Sequence, residues 1–225
     1  MKNNQRKIKW KEMLIPAGLI LLSLVPMAAG IFRVTELSSG AEITPENARF
    51  FASPLPVILH IIFSIVFSIV GAFQFAPSFR RRFPKWHRAT GWVLAPSGLI
   101  VALSGLWMTL FYSLPEADRG LLYPIRLVVG IAMLLSIILG IYAIKKRNFM
   151  AHGDWMLRGY ALGLGAGTQV FTHIPAIIFP NFEGELPRAM MMGTGWLINI
   201  LIAEWVIYKK KAGRTHPKRR SSITA

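Results

Sequence analysis

Histidine is the side chain here best suited to chemistry, because the chain has five histidines and no cysteine. Thiolate metal sites, iron–sulfur clusters and disulfides are thereby excluded. Imidazole ligates metals and haem iron, and it exchanges protons near neutral pH. His216 lies in a basic tail and drops out. The other four sort by depth within apolar runs. His60 lies five residues into the second run and His173 five residues from the end of the fifth, both toward the outer side. His87 and His152 stand at the inner ends of the third and fifth runs. Arg80-Arg81-Arg82, four residues, then His87 matches Lys145-Lys146-Arg147, four residues, then His152, at an offset of 65. A matched pair of loops at fixed offset suggests two parallel repeats that set His87 opposite His152.

Helix periodicity turns these positions into faces. At about 100° per residue, Gly159, Gly163, Ala166, Val170 and His173 fall within about 60° of His152. His60, Ser64, Ser68, Gly71 and Gln74 form a second small, polar stripe, and His87, Gly91, Gly98, Ala102 and Gly105 a third. Small residues beside histidine leave room for a flat group, and paired imidazoles are one way to hold haem iron. The expected cofactor is haem b, on His60 and His173 at the outer level and on His87 and His152 at the inner. Arg126, at the depth of the outer pair, would meet a propionate. His152 and His173 are roughly 31 Å apart along a straight helix, the whole hydrocarbon thickness, which puts the inner pair in the interface. Small stripes equally let helices pack closely with no ligand, and rim histidines also contact lipid phosphate. Zinc or copper on the inner pair is a further alternative.

Charges inside apolar runs need partners. Arg158 in the fifth run and Glu204 in the sixth stand near the inner face and are expected to pair. Met190-Met191-Met192 reads as packing rather than copper ligation. No nucleophile–base pair, phosphate loop or carboxylate dyad occurs, so the sequence leaves catalysis open.

These residues have to be carried by membrane helices. The chain of 225 residues is 53% hydrophobic with mean hydropathy +0.46, above the roughly 45–50% of soluble domains. Six runs are long enough to cross a bilayer, near 13–34, 55–77, 92–112, 121–144, 155–178 and 189–208. The expected fold is all-α, a polytopic bundle of about six transmembrane helices. The net charge of +16 is not a nucleic-acid signature, since no aromatic residue is interleaved after Tyr208. Twenty Lys/Arg fall on one side of the runs and four on the other (Arg33, Arg49, Arg119, Arg188). That split puts both termini inside: residues 1–12 form a cytoplasmic N-terminus, 13–208 the transmembrane domain, and 209–225 a basic cytoplasmic tail near anionic lipid. The expected location is the cell membrane, a bacterial plasma membrane. Residues 1–30 also have the make-up of a signal peptide, with Met27-Ala28-Ala29-Gly30 as cleavage site. The apolar run continues through Ile31 and Phe32, which favours a span.

GAFQF (71–75), HRATGW (87–92) and HGDWMLRGYAL (152–162) resemble a bacterial family of multi-pass membrane proteins known only as a domain of unknown function. The resemblance covers roughly residues 55–175. Its most specific element is matched by His152, Trp155, Met156, Arg158, Tyr160, Ala161 and Leu162. Where the family often has Arg near the end of the fifth helix, this chain has Gln169 and then His173. The resemblance implies no activity. The outline is also similar to the di-haem cytochromes b that reduce ferric iron or semidehydroascorbate. Two functions follow as expectations: a cytochrome b-like electron-transfer protein, or a non-redox small transporter or accessory membrane subunit.

Overall fold

Apolar backbone inside a bilayer has to satisfy its own N–H and C=O groups, which helices do internally. The computed structural model describes residues 10–179 and 184–215, and among these every regular element is a helix. In chain order they are α1 (Trp10–Ser38), α2 (Ala48–Ala52), α3 (Pro54–Gln74), α4 (Pro77–Arg82), α5 (Pro84–Phe111), α6 (Leu122–Lys145), α7 (Phe149–Gly163), α8 (Gly165–Thr172), α9 (Ile174–Ile178) and α10 (Glu185–Thr215). A 3₁₀ turn, Glu116–Asp118, precedes α6. Five helices are long and apolar enough to cross a membrane, and α7 with α8–α9 makes a sixth span, bent by 45°. Six apolar runs thus become five or six spans.

Several boundaries move for local reasons. The third span begins at Pro84, not near 92, because proline suits the first turn of a helix, where its missing N–H costs nothing. The side chain of Asn148 accepts the Ala151 N–H at 3.0 Å and starts α7 early. His87 and His152 therefore sit within the first turns of their helices. The two matched loops differ: one contains α4, while the other turns on Arg147 at φ 57°. Helix α10 runs past Tyr208 to Thr215, so the start of the basic tail is helical. Lys209 Nζ lies 4.0 Å from the centroid of the Trp205 ring. His216 and the rest of the tail lie outside the described residues.

The largest departure is in the fifth span. A straight helix is broken at Leu164, between Gly163 and Gly165. Glycine pairs are a usual cause of sharp kinks. Freed backbone groups find partners on α10: Asn199 Nδ2 donates to the Ala161 carbonyl at 2.9 Å, and Thr168 Oγ1 bonds Asn199 Oδ1 at 2.6 Å. Straight-helix reckoning of faces and the 31 Å separation do not carry across the break.

Helices α3, α5, α6 and α7 surround the core, α1 packs on α3 and α8, and α10 packs on α6, α7 and α8. The core is filled by Phe67, Leu94, Met133, Ile137 and Tyr160. Tyr160, 3% exposed, donates its hydroxyl to the Ser68 carbonyl at 2.8 Å. Large apolar side chains such as Leu21, Phe32, Val128 and Leu201 are exposed on the bundle's flanks, as lipid-facing positions would be.

Candidate functional site

The small-residue stripes are occupied at every glycine but Gly91, one turn after His87, where an added Cβ meets nothing within 4 Å. A Cβ on Gly98 would lie 2.7 Å from Phe67 and Ile137 side chains, and one on Gly163 2.9 Å from Phe67. Gly71 is closed by the Tyr160 ring, and Gly105 by the His60 imidazole at 3.3 Å. At these four glycines the room is taken by the protein's own side chains, mostly rings.

The histidines are oriented by backbone carbonyls. His60 Nδ1 is 3.1 Å from the Val101 carbonyl and 3.1 Å from Ser104 Oγ. His152 Nδ1 is 2.9 Å from the Gly140 carbonyl, and His173 Nδ1 2.7 Å from that of Gln169. A carbonyl only accepts, so Nδ1 donates in each of these contacts. His87 differs: its Nδ1 is buried without a partner among the described residues. His87 lies within electrostatic reach of His152 and Arg80, and no hydrogen bond joins His87 to His152. His60 is held by α5 and His173 by its own helix, and no hydrogen bond joins them. Arg126, for which the sequence suggested a haem propionate, instead donates to Asp118 at 3.0 Å. Among the described residues no three His, Asp or Glu converge as a metal set, and tetrahedral zinc takes four ligands.

Arg158 and Glu204 are brought together. Arg158 Nε donates to Glu204 Oε1 at 2.5 Å and Nη2 to Oε2 at 2.9 Å, the two-pronged geometry of the guanidinium fork. The guanidinium also lies 4.5 Å from the Trp155 ring centroid. This pair closes the inner end of a groove of about 550 Å³ between α6, α7 and α10. Val128, Ala132 and Leu135 form its α6 wall; Leu162 and Trp155 belong to α7, and Gly193, Trp196 and Ile200 to α10. From Ile125 to Leu139 the α6 wall is roughly 21 Å long at 1.5 Å per residue. Val128 and Leu197, 66% and 55% exposed, stand at its open side. Ser136 spends its hydroxyl on the Ala132 carbonyl at 2.7 Å, leaving the walls apolar. Trp196 is seated against Gly165, so the groove lies beside the break in the fifth span.

Sequence reasoning missed this groove and its support. Asn199, a lone amide in an apolar run, was a legible signal, since buried polar groups in membrane helices bond across to neighbours. Gln169 and Thr172 bond the Met192 and Met191 carbonyls at 3.1 and 2.7 Å, further tying α8 to α10. Asp118, 3% exposed and bound by Arg126 and Arg188, was also missed.

The family model of a predicted membrane protein, DUF2306, matches residues 57–207. No curated protein and no solved structure matches the chain. The matched stretch runs from the start of α3 nearly to the end of α10 and includes every wall of the groove, and the chain belongs to this DUF2306 family of predicted membrane proteins.

Proposed function

We propose that this membrane protein binds a lipid-like amphiphile in the groove between α6, α7 and α10, acting as a small non-redox transporter or accessory subunit. One observation carries the reading: an apolar, sideways-open groove ends on an ion pair beside a broken span. A charge pair inside a membrane is expensive and defaults to function, and broken helices in transporters line substrate sites. The groove takes the apolar tail, and Arg158 with Glu204 meets the polar head. The expected setting is a bacterial cell membrane with both termini inside and anionic lipid at the basic tail.

The test is mass spectrometry of lipid-like molecules retained by protein purified in mild detergent. Gly193→Leu should fill the groove, because a Cβ there meets only Ile125, at 3.6 Å, and leucine favours helix over glycine. A severalfold loss of the retained molecule at unchanged melting temperature is expected. Equal retention by folded Gly193→Leu protein would overturn the reading.

A second reading, b-type haem on paired histidines, is favoured by the Nδ1–carbonyl bonds of His60, His152 and His173, since ligating imidazoles are held that way. Against it, the faces meant to admit a flat group are filled by Phe67, Ile137 and Tyr160. The absorption spectrum of purified protein distinguishes the readings. A low-spin b-type band lost in His60→Ala and His173→Ala, and kept in His216→Ala, supports haem. Folded, colourless protein made with ample haem removes it.

A further inference from the structure

Basic side chains are scarce on the side that the charge count assigns to the outside: Arg33, Arg49, Arg119 and Arg188, with Arg126 just inside α6. Four of these five converge. Asp118 is bound through Oδ2 by Arg126 at 3.0 Å and through Oδ1 by Arg188. Arg33 and Arg49 lie 4.5 and 4.6 Å from the centroid of one ring, Phe50. Arg49 is within electrostatic reach of Asp118, Arg33, Arg126 and Arg188 together. Against four guanidinium groups the cluster holds two carboxylates, Asp118 and Glu36, and Glu36 pairs with Arg33. Glu185, one turn before Arg188, is engaged by the Leu121 N–H at 3.2 Å.

The surroundings are built rather than loose. Asn47, 3% exposed, donates to Glu36 Oε1 at 2.7 Å and to the Glu42 carbonyl at 3.0 Å, and accepts the Thr44 N–H at 2.7 Å. Tyr112 meets Phe50 edge-on at 5.5 Å and donates to the Ser53 carbonyl at 2.6 Å. These bonds fix α2, which carries Arg49. Among the described residues Arg49 makes one hydrogen bond, a long one of 3.5 Å to the Ser113 carbonyl, which leaves most of its five donors unspent there. Like charges held together in partly buried surroundings repel, and an anion with several oxygens relieves the surplus while accepting from the guanidinium forks.

We propose that Arg49, Arg126 and Arg188 form a binding site for an oxyanion, a phosphate or carboxylate group, at the end of the bundle capped by α2. The group belongs either to a soluble anion or to a lipid headgroup. This site is at the opposite end of the bundle from the Arg158–Glu204 pair and does not depend on the groove.

Thermal melting of the full-length protein tests it in two arms. In neutral detergent, inorganic phosphate is compared with chloride at matched ionic strength; in nanodiscs, phosphatidylglycerol is compared with phosphatidylcholine. Stabilisation by free phosphate identifies a soluble anion, and stabilisation by phosphatidylglycerol alone a headgroup. In the responding arm Arg49→Gln should weaken the effect about tenfold, as loss of a charge-assisted hydrogen bond implies. Arg49→Lys should fall between, and Arg119→Gln should behave as the parent protein. The proposal fails if Arg49→Gln and Arg49→Lys respond as the parent does, or if neither phosphate over chloride nor phosphatidylglycerol over phosphatidylcholine stabilises the protein.

Discussion

Arg158 of α7 and Glu204 of α10 meet in a two-pronged ion pair, with Nε–Oε1 at 2.5 Å and Nη2–Oε2 at 2.9 Å. The pair ties together two spans that also share the Asn199 bond to the Ala161 carbonyl. Glu204→Gln leaves the guanidinium without a counter-charge. The expected loss is about 1–3 kcal/mol, below the roughly 3–5 kcal/mol of a fully buried pair because the Glu204 side chain is 46% exposed. Arg158→Gln in the same chain should restore part of it. Melting in detergent of the single and double variants measures the coupling; strictly additive losses would show that the contact contributes nothing.

Asp118 gives an acid limit to stability. Burial pushes its carboxyl up, but hydrogen bonds and charge from Arg188 and Arg126 outweigh burial and hold it below its ordinary value. The unfolded carboxyl protonates near its usual pKa of about 3.9. The contribution is therefore full above about pH 4 and is lost as pH falls through the lower folded value. Asp118→Asn should cost about 3 kcal/mol at neutral pH, the low end for a broken buried pair since Arg188 is 41% exposed. It should also flatten the fall in melting temperature below pH 4. An unchanged acid profile in Asp118→Asn would refute the assignment.

Glycine at 167 lies where α8 packs tightly on α1. A Cβ there would overlap the Leu22 backbone carbonyl, which cannot turn aside as a side-chain end can. Gly167→Ala should destabilise by about 1–3 kcal/mol, the usual cost of overpacking. Gly153→Ala has nothing within 4 Å of the new Cβ. It should be neutral or gain up to about 1 kcal/mol from helix propensity. Comparable melting temperatures for the two variants would contradict the packing of α1 on α8.

Orientation is testable because the chain has no cysteine of its own. Single cysteines at Ser39 and Ala117 should react with an impermeant thiol reagent applied to intact cells. One at Lys146 should react only after the membrane is opened. The reverse pattern would invert the charge-derived topology.

The number and rough position of the spans were legible in the sequence, because bilayer thickness sets a length that an apolar run either meets or does not. The all-helical class followed from the same solvent, which tolerates few other backbones. The pairing of Arg158 with Glu204 was readable too, since a lone charge at matching depth in each of two spans needs a partner. What the helices do with their faces was not legible. In water an amphipathic stripe marks the core, but in lipid the core-facing and lipid-facing sides are both apolar, and hydropathy no longer separates them. The glycines of the histidine-bearing stripes were compatible with a flat cofactor or with close packing, and only assembly brought Phe67 against Gly98 and Gly163 and Tyr160 against Gly71. The break at Leu164 depended on Asn199, itself held by the Thr168 hydroxyl, arriving from a distant part of the chain to bond the Ala161 carbonyl. The same holds for Arg49, Arg126 and Arg188, spread over more than 130 positions of sequence. Their convergence about Asp118 is a property of the folded bundle, because electrostatic neighbourhood is set by distance in space and not by order along the chain.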